Sequence, residues 1–236
     1  MIHPRCRDAR FVRPLRRQVQ IYAKAWLFRS ISSTRTHEPC VPTTWLFLHL
    51  TRLVYVTKTY ISVMQYIYKY RSPLGGMTLA SDGTALTGAW FDGQKYFGAT
   101  LRGDAREADL PIFGEATAWL DGYFAGSRPA AMPALRLEGT AFRMAVWDIL
   151  RQIPYGEVVT YGHIAELVAR KLGVGRMPAQ AVGGAVGHNP ISIFVPCHRV
   201  VGSGGSLTGY AGGLDKKARL LELEGVDMAR LYVPKR

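Results

Sequence analysis

Cysteine and acidic side chains are both scarce in this chain, and each shortage narrows what it can be. Seventeen Asp and Glu stand against 30 Lys and Arg, a formal net charge of +13 that points to a polyanionic partner. Three cysteines, Cys6, Cys40 and Cys197, are too few for a disulfide framework, and none forms a CxxC pair. A reducing compartment is the expectation that follows. No stretch reaches about 18 uncharged apolar residues, since 41–67 is interrupted by Arg52 and Lys58. Nor does an apolar run with a small-residue cleavage site follow the basic N-terminus, so no signal peptide is read. These absences predict a soluble, cytoplasmic protein with no membrane partner.

What is present is unevenly spread. Residues 1–63 hold 11 Lys and Arg against 2 acidic residues, whereas 64–236 hold 19 against 15. The first 63 residues show no helical or strand period. They read as a basic extension, either disordered or the product of an upstream start site, with a functional basic arm as the alternative. Met64 then opens a regular pattern. Tyr66, Tyr68 and Tyr70 alternate with Gln65, Ile67 and Lys69, a half-buried strand. A turn at Ser72-Pro73-Leu74-Gly75-Gly76 leads to a strand at Met77–Ala80. A hairpin signal at Ser81-Asp82-Gly83-Thr84 then leads into Leu86–Phe91. Trp119, Leu120, Tyr123 and Phe124 predict a helix over 114–124, and Leu135 and Leu137 a further short strand. Residues 64–138 thus read as a small antiparallel sheet plus a helix, with nothing catalytic in it.

Residues 139–236 read as a second domain, predominantly helical. Phe142, Ala145, Val146, Ile149 and Leu150 form one apolar stripe. Thr160 can cap a second helix carrying Ile164, Leu167, Val168 and Leu172. After Gly173-Val174-Gly175, a third helix starts near Pro178 and runs to Val186. The pair is a helix-turn-helix candidate. Its third helix is built of Ala179, Gln180, Ala181, Val182, Gly183, Gly184 and Ala185. Such small residues suit either close helix packing or entry into a narrow groove of nucleic acid.

The most informative four residues are Pro196-Cys197-His198-Arg199, which follow the apolar run Ile191–Val195, read as a buried strand. Pro196 ends the ladder and presents Cys197 at its terminus. His198 and Arg199 beside a cysteine would lower its pKa from about 8.5 toward neutrality. A buried structural cysteine is the alternative.

Together with Ile153-Pro154-Tyr155-Gly156, Thr160-Tyr161-Gly162, Ala181–Ala185, His188-Asn189-Pro190, Tyr210-Ala211-Gly212-Gly213 and Leu221–Gly225, this signature resembles the methylated-DNA–protein-cysteine methyltransferases. The resemblance runs from about Met64 to Gly225. It implies an α+β architecture: a ribonuclease H-like N-terminal sheet and helix, then a winged-helix-like domain with the helix-turn-helix. It further implies direct, irreversible, single-turnover transfer of the alkyl group from O6-alkylguanine to Cys197, with O4-alkylthymine as a further candidate substrate. The partner implied is duplex DNA, bound through the minor groove with the damaged nucleotide flipped out, by a monomer. By the same resemblance His198 takes the thiol proton through a water and Glu224 orients His198. Tyr161 hydrogen-bonds a guanine ring nitrogen, and the Ala211 N–H reaches O6. The carbonyls of Cys197 and Val200 accept from the exocyclic amine, with Tyr210 and Arg199 beside the substrate. Asn189 braces the turn before the active-site segment. Thr160, Ala179, Gln180, Ala181, Gly183 and Gly184 meet DNA, with Gln180 where an arginine commonly fills the vacated stack. No metal or other cofactor is implied. Two rivals remain at this point, a non-catalytic helix-turn-helix regulator and a cysteine hydrolase using Cys197, His198 and Glu224.

Overall fold

Turn chemistry sets the first half of the fold. Ser72 Oγ accepts from the Leu74 N–H at 3.2 Å and Gly75 takes a φ of 114°. The chain therefore reverses between β1 (Tyr66–Ser72) and β2 (Gly75–Ser81). Asp82 Oδ1 then accepts from the N–H groups of Thr84 and Ala85, turning the chain into β3 (Leu86–Phe91). Both pairings are antiparallel, as the alternation predicts. A two-residue strand, β4 (Arg106–Glu107), lies parallel to β1, giving the order β3-β2-β1-β4. The sheet is thus mixed at one edge and not antiparallel throughout. Two charged residues carry no periodic signal that could reveal such a strand.

The computed structural model describes residues 64–128 and 131–234, all within one compact unit, Ile61–Arg236. The 1–63 extension, with Cys6 and Cys40, and Pro129 of the linker lie outside the described residues. Helix α1 (Pro111–Phe124) starts three residues earlier than the pattern predicts, with Pro in its first turn, where a missing N–H costs nothing. It buries Ile112, Phe113, Ala116, Trp119, Leu120 and Tyr123 against the core. The strand expected around Leu135 reduces to a single bridge with Leu86.

In the second half, Thr140 caps α2 (Ala141–Leu150) by accepting from the Arg143 N–H at 3.3 Å. Thr160 likewise caps α3 (Tyr161–Leu172), which ends at Gly173 in the left-handed conformation. Helix α4 (Ala179–Gly187) turns Val182, Ala185 and Val186 inward, and Trp147 of α2 donates to the Ala185 carbonyl at 2.9 Å. A short parallel pair, β5 (Val159–Thr160) with β6 (Val200–Val201), and helix α5 (Leu214–Leu223) complete it. The α+β architecture and the helix-turn-helix of α3 and α4 are as the sequence predicts.

The run Ile191–Val195 is buried as expected but is not a strand. Val195 N–H bonds back to the Ile191 carbonyl at 3.0 Å, and Ile193 takes a φ of 71°. Apolarity dictates burial here, while a tight turn dictates shape. The start of this turn is tied to β3 by Ala89 N–H to Pro190 O, 2.9 Å, and Ser192 N–H to Ala89 O, 2.8 Å. Sheet and helical halves therefore share backbone bonds next to the signature. No helix among the described residues is long and apolar enough to cross a membrane.

Candidate active site

Cys197 opens a 3-10 turn, Cys197–Arg199, and is only 4% exposed. Asn189, just past α4, donates its amide to the Val195 carbonyl at 2.8 Å and to Cys197 Sγ at 3.1 Å, while its Oδ1 accepts from the Ile191 N–H. One buried amide thus holds the turn and the sulfur together. Burial pushes the thiol pKa up. The Asn189 hydrogen bond and the charge of Lys217 oppose that rise without cancelling it. This corrects the expectation of a thiol lowered by its sequence neighbours. In a 3-10 turn with three residues per turn, successive side chains point in different directions. His198 and Arg199 turn toward Glu224.

Glu224, the C-cap residue of α5, is 4% exposed and surrounded by donors. Its Oε1 accepts from His198 Nε2 at 2.7 Å, Tyr123 Oη at 2.7 Å and Arg199 Nη2 at 2.9 Å. Its Oε2 accepts from Arg199 Nε at 2.7 Å and the Gly156 N–H at 3.2 Å. Gly156 has a φ of 80°, and a Cβ there would sit 2.9 Å from the Glu224 carbonyl, so this approach requires glycine. Burial alone would raise the carboxyl pKa. The hydrogen bonds of His198 and Arg199, with the guanidinium charge of Arg199, outweigh it and hold the group well below the usual carboxylate range. His198 is pushed down by burial, against the pull of Glu224, and the neutral ring is favoured. An ionised carboxylate can only accept, so the His198 proton resides on Nε2. Nδ1 is left with its lone pair, buried and without a protein partner among the described residues. Arg199 Nη1 also donates to the Ile153 carbonyl at 2.6 Å, and its guanidinium lies over the Tyr155 ring. Its cation is committed to Glu224 rather than to a substrate position.

A cavity of about 250 Å³ adjoins this cluster, lined by Lys95, Tyr96, Tyr161, Gly183, Tyr210 and Ala211 among others. That is slightly smaller than sites for drug-sized ligands and suits a single nucleobase. Cys197 does not line its surface, but the charge of its thiolate acts on two of the three tyrosines that do, Tyr161 and Tyr210. Burial first, then that charge, raises Tyr161 to about 12 and Tyr210 well above its ordinary value. Tyr161 Oη donates to the Gly209 carbonyl at 3.0 Å. Ala211 N–H makes no hydrogen bond among the described residues, and its carbonyl accepts from the Lys95 N–H at 3.0 Å. The Val200 carbonyl accepts from Lys217 Nζ, which also reaches the Thr208 carbonyl at 2.8 Å. Burial lowers this fully buried ammonium to about 8.

On the outer face of α4, Ala179, Gln180, Ala181 and Gly184 are exposed and Gly183 is half-buried. A Cβ on Gly184 would meet nothing within 4 Å, and one on Gly183 only the Tyr161 ring at 3.9 Å. Internal packing therefore does not require these small residues, and the face is open to an external surface. Thr160, at the foot of this region, uses its hydroxyl as the α3 cap.

Three residues escape a reading of the sequence. Lys217 falls on the apolar stripe of Leu220 and Leu221, a spacing signal that was there to be read. Tyr123 and Tyr96 carry no local signal. Tyr96 reaches the site by stacking on His188 at 3.9 Å. Among the described residues no group of three or more His, Cys, Asp or Glu could hold a metal ion.

A helix-turn-helix domain thus holds a buried cysteine, hydrogen-bonded by the Asn189 amide, beside a His–Glu pair. Two family models match the chain: 6-O-methylguanine DNA methyltransferase, ribonuclease-like domain, over residues 65–135, and the DNA binding domain of the same family over 141–226. The chain belongs to the methylated-DNA–protein-cysteine methyltransferase family. It is 40% identical over 167 residues to the Haemophilus influenzae protein of that name, covering 70% of this chain and 89% of the relative. To the Methanosarcina acetivorans protein it is 43% identical over 157 residues, 66% and 96% of the two chains. The crystal structure of Mycobacterium tuberculosis OGT in complex with DNA is similar with a TM-score of 0.59 and 42% identity, over 70% of this chain and 94% of that one.

Proposed function

We propose that this protein repairs DNA by accepting the alkyl group of O6-alkylguanine onto Cys197, once per molecule. The observation that carries the reading is the Asn189-held sulfur next to a nucleobase-sized cavity, backed by the His198–Glu224 pair. The thiol proton passes through a bridging water to His198 Nδ1, whose lone pair the Glu224 hydrogen bond leaves free. Cys197 Sγ then attacks the alkyl carbon. The S–C bond forms, the C–O6 bond breaks, and its electron pair leaves on guanine, which takes up a proton. A thioether offers water no labile bond, so no turnover follows. Asn189 and Lys217 favour the thiolate that burial disfavours, and the unbonded Ala211 N–H is available to the developing charge on O6. Tyr161 and Tyr210 line the pocket for the flipped base.

The face of Ala179, Gln180, Ala181, Gly183 and Gly184 supports minor-groove docking, because it lets the backbone come close. A major-groove reader would present Arg, Asn or Gln in number there instead. A reduced thiol and a DNA partner fit a cytoplasmic monomer.

Incubation with a duplex containing O6-methylguanine, followed by peptide mass spectrometry, tests the reading. One methyl on the Cys197 peptide, at no more than one per protein, is expected. Cys197→Ala should bind the duplex without transfer. Repaired DNA with unmodified Cys197 would overturn the assignment, as would many turnovers per molecule.

A further inference from the structure

Glu224 takes a hydrogen bond from the other half of the fold. Tyr123, in the last turn of α1, is 1% exposed and places its hydroxyl 2.7 Å from Glu224 Oε1 and 3.5 Å from His198 Nε2. It lies 101 residues away in sequence. Burial and the Glu224 charge push its phenol far above its ordinary value, so the hydroxyl keeps its proton and donates it to the carboxylate. Its ring stacks on Trp119 at 5.5 Å and meets Tyr155 edge-on at 6.0 Å, which fixes the hydroxyl's aim.

We propose that Tyr123 is a positioning residue for alkyl transfer: through Glu224 it fixes the His198 ring and restrains its basicity, making the N-terminal domain a working part of the acceptor site. The inference rests on the reading of Cys197 as acceptor and His198 as its proton relay. Three hydrogens converge on Oε1, and each weakens that oxygen as an acceptor for the other two. With the Tyr123 hydroxyl gone, the His198 Nε2–H bond to Oε1 strengthens and the imidazolium form gains. An imidazolium carries a proton on Nδ1 and cannot relay the one from the thiol. The other groups around His198 stay in place: Arg199 on the same turn, Lys217 from α5, Glu224 itself, and Tyr210, whose ring lies edge-on at 6.5 Å.

The test compares wild type with Tyr123→Phe, which keeps the ring and its stacking, in the full chain. Tyr70→Phe serves as control, because it deletes a hydroxyl of the same domain that donates to Asp121 instead. Two readouts are taken between pH 5 and 9: the His198 ring titration by NMR, and the rate of methyl transfer to Cys197 in a single turnover. In Tyr123→Phe, both the ring titration and the acid limb of the rate profile should move up by about 0.5–1 pH unit, the size of one hydrogen bond. Tyr70→Phe should match wild type. Superimposable titrations in wild type and Tyr123→Phe overturn the inference, as does a lower rate with an unshifted profile. A wild type that leaves Cys197 unmethylated sinks the repair reading instead, and the ring titration still decides on Tyr123.

Discussion

Removing the charge of Glu224 tests the whole cluster at once. Five donors point at its two oxygens, and two of them come from Arg199, which is 9% exposed. Glu224→Gln keeps the volume but leaves one acceptor oxygen and one donor group to meet them. The guanidinium is then a buried cation without a counter-ion. Breaking a buried pair from one side costs about 3–5 kcal/mol. In a folded unit of this size, each kcal/mol lowers Tm by about 2–4 °C. A fall of about 6–20 °C at neutral pH is expected from thermal melts followed by near-UV circular dichroism. Pairing the change with Arg199→Met removes the stranded cation and should return most of that loss. Methyl transfer should stay impaired in both variants, since His198 no longer faces a carboxylate. A Tm within about 2 °C of wild type would refute the reasoning, and so would a double variant no more stable than Glu224→Gln.

Acid should destabilise the protein in two stages. His198 is held below its ordinary value in the fold, so the unfolded chain protonates first and stability declines as pH falls below about 6.5. The Glu224 carboxyl is also held low, so its contribution is complete above about pH 4.3 and is lost on further acidification. Urea midpoints measured across this range in His198→Asn should lack the first stage, and an unchanged onset would count against a neutral buried ring. On the DNA face, Gln180→Arg should leave stability within about 0.5 kcal/mol, because the position is exposed. It should steepen the salt dependence of duplex binding by about 0.9 per phosphate gained. Fluorescence anisotropy at several salt concentrations gives the slope, and no change would argue that α4 does not face the duplex.

Much of this site is legible in the sequence because its parts are local. Thr140 and Thr160 announce their helices, the apolar stripes place α2 and α3, and the start near Pro178 places α4, each to within a few residues. The signature from Pro196 to Arg199 locates the cysteine. What is not legible is direction and distance. Hydrophobicity buries Ile191–Val195 but cannot tell a strand from a turn with Ile193 at positive φ. Adjacency of His198 and Arg199 to Cys197 suggests a cationic neighbourhood, whereas their side chains serve Glu224, 26 and 25 residues on. Tyr123 reads as one more buried aromatic of α1, and only the folded chain shows where its hydroxyl ends.

Asn189 binds the turn carbonyl and the sulfur with the same amide nitrogen, and the sulfur has almost no open surface. Methylation replaces the thiol proton with a carbon, removes the sulfur's capacity to ionise and crowds a place where close packing leaves little room. Overfilling of this kind costs about 1–3 kcal/mol. A used molecule therefore differs from a fresh one in how firmly it holds together, and its history is recorded as fragility around the helix-turn-helix.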